Sequence, residues 1–192
     1  HKRTGLESVY RTKAIILDIE KKDDHKKKKS QVEVIKLIDE VYSKFPDELR
    51  KSVIYTAYTG GGGQIAIAFS RPLEKDKARE VYEKLRNYLM HVENIDPASF
   101  NIAGCQRLIG TTNMKYNVQT FLLWTNPRPV PVDIEAFLQT VYEEEKAINE
   151  LANEIESTHE KEITLHRLNR EIIRKIKRRV SFIDLFNEIG VQ

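Results

Sequence analysis

Asp18 and Glu20 close the run Ala14-Ile-Ile-Leu-Asp-Ile-Glu20, in which four apolar residues are followed by two carboxylates with one isoleucine between them. A strand repeats every two residues, so both acids project from one face, about 6–7 Å apart along the backbone. An isolated ionised carboxylate is costly to desolvate. Two readings follow: the acids lie at the solvent end of the strand beside the lysines that come next, or they form a platform of hard oxygen ligands for Mg²⁺ or Mn²⁺. Two carboxylates rarely suffice for a pair of ions, so the second reading requires a third acid elsewhere.

Two further segments carry candidate chemistry. "YTGGGGQIAIAF" is a hairpin whose turn, Gly60 to Gly63, is made wholly of glycine. Four glycines exceed what a tight turn needs, and each costs conformational entropy. They serve a flexible turn, or they let backbone N–H groups approach a phosphate as an anion-binding nest. Beyond the turn, alternation places Ile65, Ile67 and Phe69 on one face and Gln64, Ala66 and Ala68 on the other. The small face suits the floor of a nucleotide pocket or a close helix contact equally. The third segment, "NIDPASFNIAGCQRLIGTTNMKYN", holds Asp96, Asn101, Arg107, Thr111, Thr112, Asn113 and Lys115. Its cations can neutralise phosphates and its amides and hydroxyls can donate hydrogen bonds. Asp96 before Pro97 is also what a simple turn would use.

The elements that must position these groups are read from periodicity. Residues 14 to 20 predict a buried strand, followed by a lysine-rich loop. Val34, Ile35, Leu37, Ile38, Val41 and Tyr42 predict one face of a helix over 31 to 44, ended by Phe45-Pro46-Asp47. Val53 to Tyr58 and Gln64 to Phe69 predict paired strands, Lys75 to Met90 a helix, and Gln119 to Trp124 another strand. From Asp133 the chain reads as helix almost to its end, with a break near Ser157-Thr158. Strands alternating with helices over 14 to 124 make the core α/β or α+β.

Composition excludes more than it assigns. The single cysteine, Cys105, precludes an internal disulfide framework or a cysteine-rich zinc site, and favours a reducing, cytoplasmic setting. Apolar runs fall short of a membrane span, so no membrane partner is expected. The net charge of +3 is uninformative, but Lys26 to Lys29 form a basic run and seven Lys or Arg residues lie between Arg167 and Arg179. The chain opens on His1, as expected of a piece of a longer protein with further domains.

Taken in order, the three segments resemble the archaeo-eukaryotic primase superfamily, in particular its primase-polymerase branch, as found in plasmid, phage and CRISPR-associated proteins. Ile16-Leu-Asp18-Ile-Glu20 is similar to that family's D-x-E at the end of a hydrophobic strand. "TGGGGQIAI" fits the frame of its S-x-H motif, with Thr59 at the serine and Gln64 at the histidine. "IDPASFN" followed by "RLIGTTNMK" resembles its third motif, with Gly104 and Ile109 departing from the usual arginine and proline.

The resemblance implies an α+β fold: an α/β module plus an RRM-like palm module, with a helical C-terminal appendage. It implies a catalytic core over 1–132 and an extension over 133–192 leading to a downstream domain. Asp18, Glu20 and Asp96 would be the catalytic acids and the ligands of two Mg²⁺ or Mn²⁺ ions. Gly61, Gly62, Gly63, Gln64, Asn101, Arg107, Thr111 and Lys115 would surround an NTP or dNTP. The implied activity is primer synthesis and extension on single-stranded DNA, in replication or in CRISPR-associated defence. Glutamine in place of histidine bonds a phosphate without carrying charge, which leaves room for an alternative: a weakened module that binds nucleotide or single-stranded DNA for a partner. Arg170, Arg174, Lys177 and Arg178 recur at three- and four-residue spacing and make one helix face basic, either as a solvated face or as a contact for template and primer phosphates.

Overall fold

The computed structural model describes residues 9–21, 27–104, 106–157 and 172–173. Strand β1, Arg11–Ile19, alternates as its sequence demands, with Ile15, Leu17 and Ile19 buried and Ile16 and Asp18 half-buried on the other side. Helix α1, Gln31–Ser43, begins in a capping box: Ser30 Oγ accepts from Glu33 N, and Glu33 Oε2 accepts from Ser30 N. Its Val34, Leu37, Ile38 and Val41 are buried, while Ile35, expected on the same face, is exposed at the helix flank. A five-residue helix α2, Asp47–Lys51, follows Pro46 and was not expected from periodicity.

Strands β2, Val53–Tyr58, and β3, Gly63–Glu74, form the glycine hairpin. β3 continues past the expected Phe69 through Pro72. The register against β1 shifts there, between Thr12 and Ala14, so Pro72 falls where no regular ladder bond is needed. Helix α3, Lys75–Leu89, is followed by a short 3-10 helix, Pro97–Phe100. A two-stranded hairpin of β4, Thr112–Asn113, and β5, Val118–Gln119, precedes β6, Phe121–Thr125. Helix α4, Ile134–Ser157, ends the described continuous chain.

The main sheet has the order β1-β3-β2-β6 with every pair antiparallel. An isolated antiparallel bridge between Ile19 and Ile95 adds one more segment outside β1. Strand, helix, hairpin, helix and returning segment reproduce the split β-α-β pattern of an RRM-like sheet. The α+β expectation therefore holds, with antiparallel pairing in place of a parallel α/β sheet.

Helices α1 and α3 share one hydrophobic cluster with Ile15, Leu17, Ile19, Ile65, Ile67 and Phe69, so the helices occupy the isoleucine face. Gln64, Ala66 and Ala68 lie on the opposite face by alternation, and Gln64 and Ala66 are buried there as well. The first turns of α4 join the same core through Ile134 and Leu138, and Phe137 meets the Tyr88 ring edge-on at 5.4 Å. Arg71 bonds Glu135 at 2.8 Å, tying the end of β3 to the start of α4. Among the described residues no helix is long and apolar enough to cross a membrane.

Candidate functional site

The Ile19–Ile95 bridge decides where the acids stand. Asp96 N donates to Asp18 O at 2.8 Å and Glu20 N donates to Asn94 O at 2.9 Å. These two bonds flank the bridge, so Asp18 lies opposite Asp96 across the pair, and opposed residues project from the same face. Glu20, two residues after Asp18, shares that face. On the other side of β1, Asp18 is in register with Gln64 of β3, and Gln64 with Ala57 of β2. Acids 78 residues apart in sequence thus meet at one end of the sheet, with a glutamine beside them.

The side chains are engaged as follows. Gln64 is 0 % exposed and its Nε2 donates to Asp18 Oδ1 at 2.9 Å. Asp18 N donates to the buried Ser99 Oγ at 2.8 Å, fastening the 3-10 helix to β1 at the acid itself. Asp96 Oδ1 accepts from Ala98 N at 2.9 Å, capping that helix. Burial is the largest influence on Asp18 and raises its pKa above the ordinary aspartate value. The Gln64 bond and the Arg107 charge oppose the rise, and the charges of Asp96 and Glu20 add to it. Asp18 therefore feels both other acids and one cation. Tyr55 of β2 also belongs to this neighbourhood: its phenol pKa is raised by burial and then by the Asp18 charge.

The chemistry of this set suits a divalent cation, since all three acids supply hard oxygens and their mutual repulsion is relieved by positive charge. The side chains are not gathered as ligands, however. Among the described residues no group of three or more His, Cys, Asp and Glu stands close enough to hold a metal ion. Asp18 and Asp96 each spend one oxygen on the protein, and a cation would need their remaining oxygens together with Glu20.

The glycine turn has a packing explanation. Gly60 to Gly63 are all buried. A Cβ on Gly61 would lie 2.3 Å from the Tyr116 hydroxyl, and on Gly62 2.1 Å from the backbone oxygen of Ile19. On Gly63 it would lie 2.5 Å from Ile38 Cδ1, and Gly60 holds a φ of +96°. The turn is pressed between the end of β1, α1 and the β4–β5 hairpin, so Gly62, against backbone, and Gly60, at positive φ, have a packing reason that involves no phosphate. Gln64 likewise points at Asp18 and not into solvent.

The loop residues divide. Arg107 is exposed and close enough to Asp18 to act on it. Lys115 is exposed, its ammonium 4.9 Å from the Tyr116 ring centroid. Thr111 Oγ1 donates to Leu108 O at 2.6 Å and Asn101 Oδ1 accepts from Ala103 N at 3.0 Å, so both serve their own loops. Asn113 is buried and its Nδ2 donates to Thr59 O at 2.5 Å, joining the "GTTNMK" loop to the glycine hairpin. Arg170, Arg174, Lys177 and Arg178 lie outside the described residues, as does Cys105. Sequence reasoning missed Ser99, Tyr55 and Gln106. A serine buried within "DPASF" and a tyrosine alternating with Ala57 carry a faint signal, and Gln106 carries none.

No family model and no curated protein matches the chain. Among solved structures it is similar to the AEP domain of the cyanophage S-2L primase-polymerase, at 14 % identity and a TM-score of 0.48. The match covers 71 % of this chain and 63 % of that one. Likeness at this level carries no chemistry from one chain to the other.

Proposed function

We propose that this chain is a template-dependent nucleotidyl transferase of the primase-polymerase kind, making and extending primers from NTP or dNTP on single-stranded DNA. The observation that carries the proposal is the Ile19–Ile95 bridge, which brings Asp96 opposite Asp18 with Glu20 on the same face. Backbone pairing that sets Asp96 opposite Asp18 supports the arrangement the sequence motifs require, and a turn formed by Asp96 for local reasons alone has no need to pair with β1.

Asp18, Glu20 and Asp96 would hold the divalent ions. Bound there, Mg²⁺ or Mn²⁺ supplies activation of the attacking hydroxyl and neutralisation of charge on the phosphates. Arg107, exposed beside Asp18, meets the triphosphate, with Lys115 in the turn between β4 and β5. Positioning and charge neutralisation do most of the work in such transfers. Tyr55, half-buried on the acid face, borders the substrate. Arg170, Arg174, Lys177 and Arg178, whose sequence spacing would make a helix face basic, would take template phosphates, which would make DNA binding fall with salt.

The test is incorporation of labelled nucleotide on a single-stranded template with Mg²⁺ or Mn²⁺, compared with Asp18→Ala/Glu20→Ala. Activity in the double variant equal to wild type would falsify the role of the acids.

A second reading is favoured by particular contacts: a module that binds nucleotide or single-stranded DNA without turning it over. Gln64 is committed to Asp18, and Asp96 to its own helix. Nucleotide binding with no incorporation under either ion selects this second reading.

A further inference from the structure

We propose that Gln106 is a positioning residue that acts through Gln64 to hold the Asp18 carboxylate, a role that deepens the nucleotidyl-transfer reading and rests on it for its purpose. Gln106 lies on the loop after the 3-10 helix, outside every motif of the sequence. Its Nε2 donates to Ile16 O at 3.3 Å, and its Oε1 accepts from Gln64 Nε2 at 3.3 Å. The same Gln64 nitrogen donates to Asp18 Oδ1 at 2.9 Å. The chain of bonds leaves β1 at Ile16 and returns to it at Asp18.

Chemistry fixes the direction of each amide. The Ile16 carbonyl only accepts, so Gln106 must turn its NH₂ there and its oxygen toward Gln64. The Asp18 carboxylate, when ionised, also only accepts. Gln64 therefore faces two acceptors and can satisfy both only with its NH₂. This orientation leaves Gln64 Oε1 as a buried side-chain oxygen with no partner. The bond to Asp18 takes one amide hydrogen and the Gln106 oxygen takes the other, so the amide is held in this orientation from two sides although its own oxygen goes unpaired. Groups that orient a metal-binding carboxylate from behind commonly change affinity or activity about 10–100-fold when removed.

The experiment compares wild type, Gln106→Met, Gln64→Met and the double variant. In metal-free protein, NMR measures hydrogen exchange at the Gln64 side-chain NH₂. Exchange about tenfold faster in Gln106→Met, as loss of one net hydrogen bond implies, is the expected result. Equal exchange in wild type and Gln106→Met overturns the proposal. Mn²⁺ affinity, read by electron paramagnetic resonance, should weaken about tenfold in Gln106→Met and change no further when that substitution is added to Gln64→Met. Equal weakening in both backgrounds shows that Gln106 does not act through Gln64 and also overturns it. Should wild type bind no Mn²⁺, the nucleotidyl-transfer reading fails, and the exchange ratio still decides the relay. If Gln106→Met does not fold, Gln106→Leu takes its place, and wild-type exchange in that variant overturns the relay.

Discussion

Ser99→Ala isolates the joint between the third acidic segment and β1. Ser99 is 2 % exposed, and its Oγ accepts the Asp18 amide at 2.8 Å. Alanine fits the same space, creates no appreciable cavity and leaves the 3-10 helix its remaining bonds. The change is confined to one acceptor, so an N–H in a half-buried strand loses its partner. An unsatisfied buried donor costs about 1–3 kcal/mol. In a chain of this size each kcal/mol moves Tm by about 2–4 °C, so the expected drop is about 2–12 °C. Urea unfolding should show a lower midpoint with an unchanged m-value, because the surface exposed on unfolding is the same. Nucleotide incorporation should fall by more than the unfolded fraction accounts for, since Asp96 is anchored to Asp18 beside this bond. A loss below about 0.5 kcal/mol, within the range of ordinary surface substitutions, would refute the claim that Ser99 is the acceptor Asp18 depends on.

Gly62→Ala should lower the urea midpoint by an amount equivalent to about 1–3 kcal/mol or more, because the new Cβ would sit 2.1 Å from the Ile19 backbone oxygen; a wild-type midpoint would reject the packing account of the turn. Asp18→Asn should raise Tm at pH 7 in EDTA. The raised folded pKa of Asp18 makes its contribution fully favourable only below the unfolded value of 3.8, and that contribution is lost as pH rises through the folded pKa. The advantage of asparagine should therefore vanish in melts below about pH 4. Chelation with EDTA should abolish nucleotide incorporation, and added Mn²⁺ should restore it; incorporation that persists in excess chelator removes the ions from the mechanism.

The fold was largely legible where one face of an element meets the core. Val34, Leu37, Ile38 and Val41 repeat at the helical period, and Ile15, Leu17 and Ile19 alternate at the strand period. Those periods are fixed by backbone geometry, so they survive any tertiary arrangement. Ile35 failed because a helix face is wider than the contact it makes, and its flank is exposed. The five-residue α2 and the two-residue strands β4 and β5 are shorter than one period of a reliable pattern.

The candidate site divides along the same line. Local sequence determined that Asp18 and Glu20 share a face, that Asp96 begins a turn, and that a helix follows Ser30. Only the tertiary structure decided that Ile95 pairs with Ile19, and hence that Asp96 lies opposite Asp18. It also turned Gln64 onto that carboxylate, and buried the four glycines under Tyr116 and against β1. Such facts depend on which strand edges meet and on how closely they approach. Sequence spacing carries no information about either, because both are settled when the two ends of a 78-residue separation are brought together by the core between them.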